Sequence, residues 1–273
     1  MTHTQEQLDA FATWERQAWE TRAASYARSI AALTRGAADA LLDAADVRAG
    51  TVVLDAGCGP GVVALAALRR GAEVTAVDQS RAMVALARSA GVDARQAGAD
   101  QLPFEKGAFD AVVAGFLINH LPRPVEGVAE LARVCNARVA VSVWDAADAN
   151  PALGLFGRIA PRFRLADPIP PGPDNSLYSD HARLIALLAA AGLGDIRITR
   201  VAWALTVEPG TWFDAVAAGT PRTGAVLAAA SAEQRAELRQ LYVEEVSASY
   251  AGADGLVTLP AAAVIASGVT TDE

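Results

Sequence analysis

Short apolar runs alternate with segments of helical length through the first half of the chain. The runs of strand length cover residues 51–55, 73–78, 92–97, 108–115 and 137–144. The segments between them predict helices over residues 61–70, 80–91 and 124–134. Strands that alternate with helices in this way predict a parallel sheet with right-handed crossovers.

The chain before this pattern reads as helix. Aromatic and apolar residues recur near helical spacing over residues 5–35, at Trp14, Trp19, Tyr26 and Ile30. Residues 36–47 predict a second helix. We interpret residues 1–35 as a helical lid, with packing of the aromatic residues into the core as the alternative. Residues 36–145 then form the core of the molecule.

The chain after residue 145 follows a looser pattern. Six prolines fall between positions 151 and 173, which predicts an insertion over residues 146–178. The elements predicted next are a helix over 179–191, a strand over 195–207, helices over 210–250 and a strand over 256–265 that Pro260 interrupts. The whole pattern predicts one α/β domain over residues 1–273. Its fold is Rossmann-like and doubly wound, a mostly parallel seven-stranded sheet whose helical insertions cover a pocket.

A glycine-rich turn follows the first predicted strand. The run Val52-Val53-Leu54 ends in Asp55, and Gly57, Gly59 and Gly61 then occupy alternate positions before a helix. Glycine lacks Cβ, so the backbone can turn sharply there and approach a ligand closely. The next apolar run ends in Asp78, whose carboxylate would reach the same edge of the sheet. These features predict a nucleoside-carrying cofactor at the strand ends.

Two alternatives compete with this interpretation of the turn. A nicotinamide dinucleotide site has the spacing G-x-G-x-x-G, which would place the third glycine at Val62. The spacing in this chain is G-x-G-x-G, so it opposes a nicotinamide oxidoreductase. The other alternative is a tight strand–helix turn that binds no ligand.

Three further segments follow the glycine turn, over residues 98–104, 109–115 and 119–122. Together with the turn they resemble the class I S-adenosylmethionine-dependent methyltransferases, in the small-molecule branch related to the ubiquinone and menaquinone methyltransferases. The resemblance covers about residues 40–145. It implies that the cofactor is S-adenosylmethionine and that the product is S-adenosylhomocysteine.

The same resemblance implies roles for individual residues. Asp55 would bind the ammonium end of the cofactor, Asp78 both ribose hydroxyls and Tyr26 the amino-acid end. The cofactor-binding residues that it implies are Tyr26, Asp55, Gly57, Cys58, Gly59, Gly61, Asp78, Gln79, Met83, Gly98, Ala99, Asp100, Gly115 and His120. The family usually has an aspartate where this chain has Gly98. We therefore expect Asp100 or a backbone carbonyl to meet the adenine amino group.

The acceptor side offers few candidates for chemistry. Methyl transfer from a sulfonium is an in-line displacement, which positioning accelerates, and a base helps when the acceptor is a hydroxyl. His120 and His181 are the candidate bases, with a role in holding the cofactor loop as the alternative for His120 and a solvated helix start for His181. Trp19, Trp144 and Tyr178 are candidates for lining the acceptor pocket. No group of residues has metal-ligand spacing, so we expect no metal.

Composition narrows the partners. The formal net charge is −8 and no cluster of lysine and arginine appears, which disfavours a nucleic-acid acceptor. No apolar run is long enough for a membrane span, and the N-terminal residues lack a secretion signal. The two cysteines, Cys58 and Cys135, form no disulfide framework. We therefore expect a cytoplasmic protein, either monomer or homodimer.

These observations predict methyl transfer from S-adenosylmethionine to a small molecule, such as a biosynthetic or secondary metabolite. An oxygen acceptor is favoured over nitrogen or carbon. Two alternatives use the same scaffold. One is an enzyme whose bound cofactor supports a non-methylating reaction such as a cyclisation, and the other is a non-enzymatic cofactor-binding protein.

Overall fold

A single seven-stranded sheet forms the centre of the molecule. The computed structural model describes residues 3–271, except for the side chain at position 175. The strands are β1 (Val52–Ala56), β2 (Glu73–Asp78), β3 (Asp93–Gln96), β4 (Phe109–Gly115), β5 (Cys135–Trp144), β6 (Leu193–Val207) and β7 (Val257–Thr270). Their spatial order is β3-β2-β1-β4-β5-β7-β6. Strand β7 runs antiparallel to both of its neighbours, and the other pairs are parallel.

Helices cover both faces of the sheet. In chain order they are α1 (Gln5–Arg28), α2 (Ile30–Thr34), α3 (Ala38–Ala44), α4 (Val62–Arg69), α5 (Arg81–Ser89), α6 (Pro124–Val134), α7 (Pro151–Ile159), α8 (His181–Ala190), α9 (Pro209–Gly219), α10 (Pro221–Ala228) and α11 (Ala232–Tyr250). Apolar residues of α6 and α8 pack in one buried cluster with β4, β5 and β7. Residues of α3 and α4 form another cluster with β1 and β4. The predicted doubly wound fold is therefore confirmed.

The connections reverse direction between β1 and β4, the two central strands. Strand β2 lies on one side of β1, whereas the chain returns to place β4 on the other side. Open α/β sheets bind ligands in the crevice at the carboxyl ends of the strands where the order reverses. The glycine turn after β1 lies at this position.

The segments outside the core pack over the carboxyl ends of the strands. Helices α7, α9 and α11 share a buried apolar cluster with the first half of β7. Trp212 Nε1 and the Tyr242 hydroxyl both donate to the carbonyl of Ala152, at 3.0 and 3.2 Å, which ties the three helices together. Helix α1 packs against α5, α9 and α10. In the sequence, the helices predicted within residues 210–250 thus lie between the two final strands, which are neighbours in the sheet.

The structure differs from the sequence-based boundaries at two instructive places. The helix predicted over residues 5–35 breaks at Ser29, which has φ −136° and ψ −77°. The Ser29 hydroxyl donates to the carbonyl of Ser25 at 2.7 Å, and such local bonds compete with helix continuation.

The second difference concerns Pro260, which lies inside β7 instead of interrupting it, and the strand runs on to Thr270. Alternate residues of a strand direct their N–H groups to the same side. The N–H of Ala262 points away from β6 and donates to Asn150 Oδ1 at 2.8 Å. The nitrogen of Pro260 faces that same side, where β5 has already ended, because β5 pairs with β7 only from Ala263 onward. No ladder bond is lost there.

Candidate active site

A large cavity lies at the carboxyl ends of the central strands. Its volume is about 640 Å³, and its walls come from the core, from α1 and from the junction of α9 and α10. The predicted site residues that line it are Trp19, Tyr26, Gly57, Gly59, Asp78, Gln79, Met83, Gly98, Ala99, Asp100, Gly115, His120 and Trp144. A cavity of this size matches the range of small-molecule sites in proteins.

The glycine turn adopts the backbone conformation that its sequence predicts. Gly57 and Gly59 have φ of +69° and +53°, in the left-handed region that favours glycine. A Cβ on Gly57 would meet the Leu117 side chain at 2.7 Å, whereas a Cβ on Gly59 would stand 3.9 Å from Tyr26 and 4.0 Å from Met83. The backbone at Gly59 therefore faces open space on the cavity side.

The third glycine has a different reason to be there. Gly61 caps the start of α4 with φ +92°, and a Cβ on it would meet Val92 at 3.1 Å and Ala87 at 3.6 Å. It lies outside the residues that line the cavity. In the structure Gly61 allows close packing of α4 against α5, and its contact with the cofactor stays a prediction.

The carboxylate of Asp78 lies at the end of β2 and joins the turn to the next helix. Its Oδ2 accepts from the N–H of Gly59 at 2.9 Å, and its Oδ1 accepts from the N–H of Ser80 at 2.8 Å. Burial raises the pKa of Asp78, and these two hydrogen bonds lower it. Each carboxylate oxygen can accept a second hydrogen bond, so the group still offers two acceptors to the cavity.

Asp55 is buried at the end of β1, with 1% of its surface exposed. Its Oδ2 accepts from the N–H of Ala64 at 2.8 Å, but its Oδ1 has no hydrogen-bond partner within the described chain. Burial raises the pKa of Asp55 to about 7. A recess of about 30 Å³ adjoins this carboxylate, lined also by Tyr26, Thr34 and Cys58. The recess has room for one small polar group.

Burial also determines the reactivity of the Cys58 thiol, which lies in the wall of this recess. The pKa of its thiol is raised strongly by burial and further by the charges of Asp55 and Asp78. A thiol with a raised pKa is a poor nucleophile at neutral pH. Cys58 therefore contributes a small buried side chain to the wall.

Two aromatic residues of α1 face the cavity from above. The Tyr26 hydroxyl lies 3.3 Å from the Thr34 hydroxyl, close to the recess beside Asp55. Trp19 packs edge-on against Tyr26, with ring centroids 5.3 Å apart, and edge-on against His120 at 4.9 Å. Helix α1 thus brings an aromatic face to the cavity, and its action as a lid stays a prediction.

The loop after β3 places Asp100 beside Gly98. A Cβ on residue 98 would be in close contact with a carboxylate oxygen of Asp100. Both residues line the cavity. The contact of Asp100 with the adenine amino group stays a prediction.

The end of β4 carries a strained residue that the sequence does not reveal. Phe116 has φ +57°, and its N–H donates to both the carbonyl and the hydroxyl of Ser142, each at 3.0 Å. Its ring stacks on Trp144, with centroids 4.1 Å apart. Non-glycine residues in this conformation cluster at functional sites, where the surroundings hold them in place. Phe116 and Trp144 form one apolar wall of the cavity.

His120 lies beneath α1 and contacts a buried carboxylate. Its Nδ1 is 3.0 Å from Oε2 of Glu15, a residue with 1% of its surface exposed. The other oxygen of Glu15 lies 3.7 Å from Nε of Arg222, at the start of α10. All three side chains line the cavity. Neither Glu15 nor Arg222 was predicted as a site residue.

Two candidates from the sequence lie outside the cavity lining. His181 is the first residue of α8, exposed to solvent beyond its N-cap Asp180, so it is a helix-start histidine instead of an acceptor-side base. Tyr178 packs against the apolar cluster beneath α8. Its neighbours Asp174 and Ser176 reach the cavity in its place.

Residues 3–271 hold no group of three histidine, cysteine, aspartate or glutamate side chains placed to bind a metal ion. Within the same residues no helix has both the length and the apolar character that a membrane crossing demands.

Known proteins resemble this chain in sequence and in fold. Residues 54–141 match the family model of a methyltransferase domain. An uncharacterized protein of Mycobacterium tuberculosis is 31% identical over 206 residues, which cover 72% of this chain and 72% of that protein. The ubiquinone biosynthesis O-methyltransferase of Pseudomonas aeruginosa is 39% identical over 98 residues, covering 33% of this chain and 40% of that enzyme. The solved structure of the YcgJ protein from Bacillus subtilis superposes with a TM-score of 0.55 at 20% identity, covering 87% and 99% of the two chains, and shows a shared fold.

Proposed function

This chain belongs to the class I S-adenosylmethionine-dependent methyltransferases, and we propose that it methylates a hydroxyl oxygen of a small biosynthetic molecule. One observation carries the choice of oxygen. His120 stands in the cavity wall with Nδ1 engaged by Glu15, which leaves Nε2 as the ring nitrogen that can accept a proton. A hydroxyl must lose a proton as its oxygen is methylated, so it gains most from such a base.

The residues present fit the cofactor. The unpartnered Oδ1 of Asp55, in a recess large enough for one small group, suits the ammonium of the amino-acid end. The two oxygens of Asp78 suit the ribose hydroxyls, and Asp100 suits the adenine amino group in place of the missing side chain at Gly98. Tyr26 closes the amino-acid end together with Thr34. We assign these residues to cofactor binding.

Bound in this way, the cofactor would supply a methyl group from its sulfonium, and the demethylated cofactor would be a neutral thioether. The chain's own residues position the acceptor and receive its proton. Trp19, Phe116 and Trp144 form apolar walls that exclude water and orient a planar or apolar acceptor. His120 Nε2 takes the hydroxyl proton as the oxygen–carbon bond forms. Positioning of this kind accounts for much of the acceleration in bimolecular reactions.

A small acceptor is supported by how the cavity is covered. Helix α1, the start of α10 and the segment around Asp174 all contribute to its walls, which limits the size of an acceptor that can reach the strand ends. The formal net charge of −8 also opposes a nucleic acid. The biosynthetic setting is inferred from the ubiquinone biosynthesis O-methyltransferase of P. aeruginosa, of which this chain covers 40%. A cytoplasmic location, the oligomeric state and independence from metals stay predictions.

The decisive experiment detects the product. Purified protein is incubated with S-adenosylmethionine carrying a ¹³C-labelled methyl group and with a panel of phenols, hydroxyquinones, amines and carbon acids. We expect a mass increase that contains the label on a hydroxyl compound, with equimolar S-adenosylhomocysteine. An acceptor that rearranges with no incorporated label would establish the cyclisation alternative. Tight cofactor binding without turnover across the panel would favour the cofactor-binding alternative.

A further inference from the structure

Three ionisable side chains meet where the lid helix α1 crosses the cavity. Glu15 is the buried member, and its two oxygens face different partners. Oε2 lies 3.0 Å from Nδ1 of His120, and Oε1 lies 3.7 Å from Nε of Arg222 without forming a hydrogen bond. A carboxylate with 1% exposure needs such partners, because an unpaired buried charge is costly. The arrangement is therefore specific to the docked position of α1.

The neighbours of Glu15 on α1 hold the histidine ring from a second direction. Trp19 follows Glu15 by one helical turn and packs edge-on against the His120 ring at 4.9 Å. The imidazole is thus fixed both by a hydrogen bond in its plane and by an aromatic ring at its edge. A ring held in this way presents one nitrogen in a fixed direction.

We propose that Glu15 is a positioning residue, which holds His120 with its proton on Nδ1 so that Nε2 is the free acceptor of the substrate proton. The proposal rests on the proposed function of His120 as the base. A carboxylate can only accept, so Nδ1 must donate to it. The other charged groups around the ring are Asp78 at the end of β2, Arg222 on α10, and Arg16 and Asp174 on the cavity wall.

The contact between Glu15 and His120 links the position of the lid helix α1 to the proposed base. Glu15 reaches His120 across 105 residues of sequence, from a helix that also docks through two other carboxylates. Glu20 accepts from the Ser80 hydroxyl at 2.7 Å, and Asp9 accepts from Arg123 at 2.8 Å. Docking of α1 over bound ligands would therefore complete the base at the moment the cavity closes. An undocked α1 leaves the imidazole without its orienting partner.

The test measures the tautomer of His120 directly. The full-length protein is labelled with ¹⁵N-histidine, saturated with S-adenosylhomocysteine and studied by NMR of the ring nitrogens at alkaline pH. The chain contains three histidines, so variants in which one histidine at a time is replaced would assign the signals. We expect His120 to carry its proton on Nδ1 in the wild type. Glu15→Leu should shift the ring to a mixture, and Glu15→Gln, which keeps a carbonyl acceptor, should retain part of the Nδ1–H form.

A matched variant separates orientation from loosening of the lid. Glu20→Leu also removes a docking carboxylate of α1, but that residue contacts α5 and not the imidazole. We expect it to leave the tautomer unchanged. A wild-type ring protonated on Nε2, or a tautomer that Glu15→Leu does not alter, would overturn the proposal.

Turnover gives the second measurement, with an acceptor found in the ¹³C assay. Glu15→Leu should lower kcat about tenfold or more while the KM for S-adenosylmethionine stays within about twofold. A rise in that KM with unchanged kcat would show that Glu15 only docks the lid. The tautomer result is independent of any acceptor, so failure of the proposed methyl transfer would not be mistaken for failure of this proposal.

Discussion

The cavity has one half that we assign to the cofactor and one half that we assign to the acceptor. The two halves differ in how their residues are brought together. The cofactor half uses the backbone of one glycine turn and carboxylates at the ends of adjacent strands, so its residues are close in sequence or fixed by the sheet register. The acceptor half is assembled from α1, the start of α10 and single residues such as His120. The core of the sheet would preserve the first half even if the lid moved, except for Tyr26, which α1 supplies to the recess beside Asp55. The second half exists only when distant helices dock.

Removal of the imidazole should have the largest effect and should separate the two halves most clearly. We expect His120→Ala to lower kcat by about 10²–10⁴-fold, the range that general-base catalysis contributes. The affinity for S-adenosylhomocysteine, measured by calorimetry, should change little. Comparable losses in kcat and cofactor affinity would instead assign His120 to the cofactor half, which is the alternative role that its place after β4 suggests.

Removal of a carboxylate from the cofactor half should do the reverse. Asp78→Ala removes two acceptors and frees the N–H groups of Gly59 and Ser80. We expect S-adenosylhomocysteine to bind at least tenfold more weakly, a loss of about 1.4 kcal/mol. Glu73→Ala, at the exposed first residue of the same strand, is the matched control and should bind normally. Unchanged affinity in Asp78→Ala would remove the sugar-binding role.

The sequence predicted the cofactor half better than the acceptor half for a physical reason. A glycine turn and an acid at a strand end are local patterns, and sheet geometry carries them to one edge without further information. The seven strands followed from the periodicity of apolar runs along the chain. Asp55, Asp78 and the loop over residues 98–100 therefore lie in or beside the cavity as expected.

The acceptor half depends on contacts that no local pattern encodes. Glu15 reads as one of several charged residues on a helix, and only tertiary packing buries it against His120. The structure places Tyr178 against the apolar cluster beneath α8 and His181 at the exposed start of that helix, so neither lines the cavity. The prediction that Pro260 interrupts the last strand was wrong for a related reason. Proline is tolerated at this position of β7 because β5 ends before it, and the sequence does not show where β5 ends.

The pH dependence of cofactor binding gives a finer test of the cofactor half. Burial raises the pKa of Asp55 to about 7. A raised pKa favours the protonated carboxyl in the folded protein, so this group's contribution to stability is lost as the pH rises through 7. An ammonium pairs only with the ionised form. The affinity for S-adenosylhomocysteine should therefore increase about tenfold from pH 6 to pH 8, as the ionised fraction grows.

The isosteric variant Asp55→Asn serves as the control for this titration. It should bind like the wild type at pH 6 and show a flat profile up to pH 8, where the wild type becomes tighter. Calorimetry in two buffers of different ionisation enthalpy would also report the proton released on binding. A wild-type affinity that is flat or falls with pH would show that the ammonium lies elsewhere.

The smallest effect concerns Asp100, where one residue replaces another within the cofactor half. If its carboxylate contacts the adenine amino group, Asp100→Ala should weaken S-adenosylhomocysteine binding about three- to tenfold, a loss of about 0.7–1.4 kcal/mol that is typical of one solvent-accessible hydrogen bond. S-inosylhomocysteine carries a carbonyl oxygen in place of that amino group, so Asp100→Ala should bind it no more weakly than the wild type does.

The double variant Gly98→Asp/Asp100→Ala returns the acid to its usual place in the family. Because the space at residue 98 is then free of the Asp100 carboxylate, affinity for the adenosyl ligand should recover. Equal losses for both ligands would show that Asp100 only shapes the loop. A backbone carbonyl would then be the group that contacts the adenine amino group.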